Sequence, residues 1–362
     1  MSDQSGNESG VTREGLEHPR PGREAPADDL TVRRRDGAGG RGRGRGGGRR
    51  RRGRGERAMV PDVEFGSYYG KPVLNKPVWS APDIAGYLFL GGLAGASSLI
   101  GAAADARGED RLARVSKTGA AAAAVLSLGA LVHDLGRPMR FLNMLRVVKV
   151  TSPMNLGAWL LSAYAPAALA AAGAALTGRF RPVGVAGTVG AAALGPAVAS
   201  YTAVLLSDTA VPAWHDAHRE MPFVFVGSGA MAAGGLGLLG APVAQQGVPR
   251  RAGVLGAATE VGCLKLLEHR LGFVGEPYRQ GRSGRWMKAG EGLALAGSVL
   301  ALLSRGEGRG RRTAGAVGGA MLLAGSACTR LGVFTAGVAS AEDPRYTVGP
   351  QRERLQRRSA ER

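Results

Sequence analysis

An all-α integral membrane protein of eight transmembrane helices, preceded by an Arg/Gly-rich tail, is the fold class this 362-residue sequence predicts. Three observations predict it. Stretches free of Asp, Glu, Lys and Arg run to 29 residues, and a soluble helix needs a polar face that such stretches lack. Glycine supplies 59 residues, a composition suited to close helix contacts in lipid. Charge, 47 Lys/Arg against 28 Asp/Glu for a net +19, sits mostly outside those stretches. Aromatic residues, at 5%, are too few for a conventional aromatic core. Two cysteines, Cys263 and Cys328, exclude a disulfide framework, a Cys-ligated zinc site and an iron–sulfur cluster held by this chain alone. The mean hydropathy of −0.04 averages a very polar tail with a very apolar remainder.

Residues 1–58 carry 15 Arg and 9 Asp/Glu, eleven of the arginines falling between Arg33 and Arg54. Such a segment cannot bury enough apolar surface to offset chain entropy, so a disordered tail is expected. It has no apolar signal-peptide core, and Met59 is an alternative start. Residues 59–82 read as an extended or interfacial lead-in, 83–340 as the transmembrane domain and 341–362 as a polar C-terminal tail.

Charge-free runs occupy Ile84–Ala104 (21 residues), Thr118–His133 (16), Val150–Gly178 (29), Pro182–Ser207 (26) and Met221–Pro249 (29). Shorter apolar stretches follow at Ala252–Thr259, Gly292–Ser304 and Thr313–Thr329. About 20 residues rising 1.5 Å each cross a ~30 Å hydrocarbon layer. The runs therefore predict helices over 83–104, 114–135, 153–177, 182–206, 222–241, 251–268, 287–304 and 312–338. Gly91 and Gly95 have the small-xxx-small spacing that lets helix backbones approach, which predicts a compact bundle. More Lys and Arg fall on the side of the two termini than on the opposite side, so the termini are expected in the cytoplasm.

Ionisable groups inside spans are costly and mark function by default. Glu260 lies mid-way along the sixth predicted helix, with Lys265 five residues on; Glu291 begins the seventh, and Arg330 lies two-thirds along the eighth. These groups read either as a proton path or as a buried ion pair, Glu260 or Glu291 with Arg330, pinning the last three helices. A second concentration gathers at the terminus-side ends of the first four helices: Trp79, Asp83 and Tyr87, the block His133-Asp134-Leu135-Gly136-Arg137-Pro138, then Asn155 with Trp159 one turn on, and Asp208, Trp214 and His215. A quinone head group needs such a set. Its two carbonyls accept hydrogen bonds, its ring stacks on aromatics and its reduction requires a nearby proton donor. Trp79 and Trp214, taken singly, read as members of the interfacial aromatic belt, and Asp134 and Arg137 as possible caps of a turn. A b-type haem would need facing intramembrane histidines, which the sequence does not supply, and no phosphate loop, dinucleotide fingerprint or Ser/His/Asp arrangement stands in context.

The segments YYGKPV…KPVW (Tyr68–Trp79), YLFLGGLAGASSL (Tyr87–Leu99), HDLGRPMRFLNMLRVVKVTSPMNLGAWLL (His133–Leu161), YTAVLLSDTAVPAW (Tyr201–Trp214) and GEPYRQG (Gly275–Gly281) resemble the NrfD family, the membrane subunits of polysulphide-reductase-type complexes. The resemblance covers about residues 60–345, and the tail lies outside it. It implies two four-helix bundles in a cell-membrane protein of anaerobic respiration, which exchanges electrons between quinone or menaquinone and a ferredoxin-like iron–sulfur subunit. That subunit would be wired to a molybdopterin catalytic subunit, so the clusters and molybdopterin are expected on partners and no cofactor on this chain. The quinone site so implied comprises Asp83, Tyr87, His133, Asp134, Arg137, Asn155 and Trp159. Relatives place a histidine on the first helix near the quinone; this chain has none there, and Asp83 or His133 would substitute.

A competing reading, from a transport class, is a proton- or ion-translocating subunit without quinone chemistry, acting through Glu260, Glu291 and Arg330. A third makes the tail the active part, but Arg/Gly tracts without interleaved aromatics give only salt-sensitive, non-specific contacts, so no specific nucleic-acid partner is expected.

Overall fold

The computed structural model describes residues 73–75, 77, 79–136, 139–306 and 308–360. Among the described residues the regular structure is helical, with no strand: α1 (Ala81–Ala106), α2 (Asp110–Asp134), α3 (Met139–Met144), α4 (Pro153–Thr177), α5 (Arg181–Ser207), α6 (Pro212–His215), α7 (Met221–Gly240), α8 (Gly247–Leu271), α9 (Glu276–Arg279), α10 (Gly281–Leu303), α11 (Arg309–Glu342) and α12 (Arg345–Ala360). The tail expected over residues 1–58, and most of the lead-in, lie outside the described residues. The polar C-terminal segment carries helix α12 over Arg345–Ala360.

Seven of the long helices, α1, α2, α4, α5, α7, α10 and α11, are long and apolar enough to cross a membrane. The eighth long helix, α8, forms where a span was expected, but Arg250, Arg251, Glu260, Lys265, Glu268 and Arg270 keep it out of that class. The chain is an all-α, multi-pass membrane protein. Local chemistry sets the ends. Proline opens α1, α4, α5, α6 and α7, where its missing N–H costs nothing. The Ser152 hydroxyl accepts the Asn155 N–H at 3.4 Å as the cap of α4, and Gly178, at φ 69°, closes that helix.

The helices α1, α2, α4 and α5 pack on one another, as do α7, α8, α10 and α11, and α1 joins the two sets through α7 and α11. Accordingly α1 is the most buried of the seven apolar helices. Two glycine contacts explain its position. A Cβ on Gly195 of α5 would lie 2.5 Å from the Gly95 carbonyl oxygen, and one on Gly229 of α7 would lie 2.8 Å from that of Gly92. Only hydrogen fits at either point, so glycine sets how closely α1 approaches both neighbours.

Side chains tie the helix ends together at both ends of the bundle. At the end away from the C-terminus, the Leu112 N–H donates to Gln245 Oε1 at 2.9 Å, and Gln246 Nε2 donates to the Leu238 and Ala241 carbonyls, each at 2.9 Å. Arg250 Nε donates to the Ala301 carbonyl at 2.8 Å, closing the C-terminus of α10. These bonds satisfy carbonyls and amides that a helix end leaves without a partner.

Candidate functional site

Alternation of helix direction brings the start of α1, the end of α2, the start of α4 and the end of α5 to one end of the bundle. Asp83, in the first turn of α1, meets His133 near the end of α2, with Oδ2 3.1 Å from Nδ1. A carboxylate there fixes the tautomer: Nδ1–H donates to Asp83, and Nε2 is left for a ligand or solvent. The His133 side chain is 80% exposed. One helical turn deeper on the same face of α1 lies Tyr87, 2% exposed, its hydroxyl bonded to that of Tyr201 on α5. The two rings stand edge to face, with centroids 6.4 Å apart. Tyr201 in turn lies against Gly157 of α4, where a side chain would collide with its ring.

Other residues expected at this site hold the scaffold. Asp134 Oδ1 accepts the Ser80 N–H at 2.9 Å, so its carboxylate tethers the entry to α1. Asn155 fastens the segment before α4: Oδ1 accepts the Lys149 N–H at 2.7 Å, and Nδ2 donates to the Met144 and Val147 carbonyls at 2.6 and 2.9 Å. Trp159 Nε1 donates to the same Val147 carbonyl at 3.3 Å, its ring 40% exposed. Asn155 and Trp159 thus share a face, as the one-turn spacing requires, and both grip one loop. Arg137 lies outside the described residues. Tyr201 lies outside the expected site, although it opens the segment Tyr201–Trp214. Helical spacing relates residues within one helix and does not reveal which helix lies opposite.

The belt reading of Trp214 needs correction. Its ring is fully buried, packs against Phe334 with centroids 5.6 Å apart and stacks on Trp79 at 6.0 Å, 20° between the planes. Nε1 donates to the Val333 carbonyl at 2.8 Å. The short helix α6, pinned by Ala213 N–H to Ser340 Oγ at 3.2 Å and by the Tyr278 hydroxyl to the Ala213 carbonyl at 2.9 Å, carries this tryptophan inward. A belt residue keeps its N–H at the interface, whereas this one satisfies it on α11.

In the other set of helices, Glu260 and Arg330 are buried at 0% and 1% exposure. The Thr329 hydroxyl donates to Glu260 Oε1 at 2.8 Å; Arg330 donates to the Phe225 carbonyl at 2.6 Å and lies 3.6 Å over that residue's ring. Glu260 Oε2 and Arg330 Nε and Nη1 have no hydrogen-bond partner, and the two residues do not form a direct ion pair. Glu291 does not join them. It pairs with Lys265 at 2.7 Å between α8 and α10, so the expected trio divides in two. At the membrane-surface end of α7, Glu220 takes both forks of Arg270 at 2.6 Å. That hydrogen-bonded guanidinium holds the Glu220 carboxyl below the ordinary glutamate range. Among the described residues no group of three His, Cys, Asp or Glu is placed to hold a metal ion.

Long apolar helices, joined at their ends by buried polar ties, define a polytopic helical membrane protein. Residues 72–247, just under half of the chain, match the family model for polysulphide reductase, NrfD, and are similar to that family. Proteins of this family are membrane subunits of multi-subunit redox complexes. The match ends at Gly247, before α9 and the GEPYRQG segment. No curated protein matches the sequence.

Proposed function

We propose that this chain is the membrane anchor and quinone-reactive subunit of a molybdopterin and iron–sulfur oxidoreductase, with eight spans in two four-helix bundles and cytoplasmic termini. The observation that carries the reading is the Asp83–His133 pair at the mouth of α1 and α2, one turn above the buried Tyr87–Tyr201 hydroxyls. Bound quinone or menaquinone supplies the two-electron chemistry, with electrons passing to or from an iron–sulfur partner. The chain's own residues orient the head group and handle its proton. His133 presents Nε2 outward while Asp83 holds Nδ1–H, so a proton taken at Nε2 is balanced by the carboxylate at 3.1 Å. Trp159 offers an exposed ring edge at the same end. Arg137 is proposed to complete the set, and Asp134 and Asn155 to position it.

The test is quinone turnover in the purified complex. His133→Ala and Asp83→Asn should each lower it on the order of 10²-fold, the usual scale for losing a positioned proton-transfer group, while assembly is unchanged by detergent chromatography. Undiminished turnover in the combined variant with Arg137→Ala removes the assignment. A second reading, proton or ion translocation, draws on the buried, incompletely bonded Glu260 and Arg330. Proton uptake by reconstituted vesicles that is lost in Glu260→Gln, with no quinone-binding signal, would favour it.

A further inference from the structure

We infer that the C-terminal helix and the cavity at its root form a binding site for the phosphoglycerol head group of an anionic phospholipid. The inference is independent of the redox reading. α12 starts from a tight turn in which Arg345 clasps the Asp343 carboxylate at 3.0 and 2.7 Å, and that guanidinium keeps the Asp343 carboxyl below the usual aspartate range. The first turn of α12 is anchored across the bundle end. The Tyr346 ring packs on Phe273 with centroids 5.0 Å apart, and its hydroxyl donates to Glu276 at 3.2 Å. Beyond Pro350 the helix touches little. All ten residues 351–360 are exposed, Arg354, Arg357 and Arg358 among them.

Between this root and the α5–α6 connection lies a cavity of about 210 Å³, lined by Thr209, His215, Asp216, Thr347, Gln351 and Arg354 among others. It is smaller than the roughly 300–1,000 Å³ of a site for a drug-sized ligand, and it lies at the bundle end where lipid head groups sit. Its chemistry has two signs. Arg354 and the Thr347 hydroxyl suit a phosphodiester, which accepts hydrogen bonds only. Asp216 and Gln351 offer acceptors for hydroxyl groups, which a glycerol head group carries and a choline lacks. His215, which lines the cavity, donates Nδ1–H to the Ser207 carbonyl at 3.1 Å, so Nε2 is its remaining polar atom. Leu355 is the lone large apolar residue among 351–360, so α12 is built to lie on head groups rather than to insert.

The test uses the full-length chain in its purified complex, in nanodiscs of phosphatidylcholine doped with phosphatidylglycerol, with retained lipid counted by native mass spectrometry. Wild type should retain phosphatidylglycerol in preference to phosphatidylcholine, and Arg354→Gln should lower that retention severalfold. Arg357→Gln with Arg358→Gln, off the cavity, should leave it nearly unchanged. Equal retention in wild type and Arg354→Gln overturns the inference. So does an equal loss in both variants, which would mean diffuse charge rather than a site. Displacement by millimolar inorganic phosphate would assign the cavity to a free anion and overturn the lipid source. Loss of a protein subunit from Arg354→Gln, with lipid count intact, would make α12 a protein-docking helix and overturn it equally.

Discussion

Asn155 spends every polar atom of its side chain on the segment Met144–Lys149, three bonds of 2.6–2.9 Å. Asn155→Ala leaves two carbonyls and one amide without those partners, at a cost of about 1–3 kcal/mol. A lowered thermal midpoint in detergent, with reduced quinone turnover because Trp159 loses its loop contact, is the expected outcome. Glu220 offers a pH test. Its carboxyl titrates below its ordinary value near 4.5 because Arg270 bonds it, so its contribution to stability is complete above 4.5 and is lost as pH falls through the folded-state value. The thermal midpoint should therefore drop as pH is taken from 6 to about 3.5, and the drop should be shallower in Glu220→Gln. An identical slope in both proteins would show that the pair contributes nothing. Trp214 belongs to the same scale: its N–H is satisfied by Val333, which converts an interfacial residue type into a core one.

Among elements, the α1–α5 contact is sensitive to volume. A side chain at Gly195 meets the Gly95 backbone, which cannot rotate away as a flexible side chain would. Gly195→Leu should separate the helices and destabilise by roughly 1–3 kcal/mol or more, the cost of overpacking. Gly173→Leu, whose Cβ position is open, should be nearly neutral and serves as the control in the same melting experiment. α8 presents the opposite problem. It buries Glu260 among α7 and α11 and turns Lys265 toward Glu291 on α10, so its charges are used inside the bundle at the expense of its apolar character.

For the whole molecule, α1 at the junction of both helix sets links the Asp83–His133 mouth to the neighbourhood of Arg330, since a Cβ on Gly92 would lie 3.0 Å from that guanidinium. A perturbation at Arg330 has a short packed route to the proposed quinone end. Arg/Gly tracts without interleaved aromatics give only non-specific contacts, so deletion of residues 1–58 should leave assembly and turnover intact. A complex that fails to assemble without it would show the tail to be structural.

Most of the helix positions were legible from the sequence, because a 29-residue run without charge has few uses except to cross or fill a bilayer, and proline and serine mark where such runs begin. The resemblance in His133–Leu161 was equally legible, since the block is read from local order alone. Partnership was not. Which helix faces which is fixed by close approach at glycines, and a glycine reads the same whether it touches lipid or another backbone. Hence the pairing of Tyr87 with Tyr201, the inward turn of Trp214 and the separation of Glu291 from Arg330 were decided by tertiary packing. The sequence by itself determined that apolar helices form and roughly where they end, because both follow from transfer free energy and backbone chemistry along the chain. Only the fold decided which polar side chains meet, because such meetings join residues as many as 114 positions apart in sequence, as Tyr87 and Tyr201 are, beyond the reach of any periodicity.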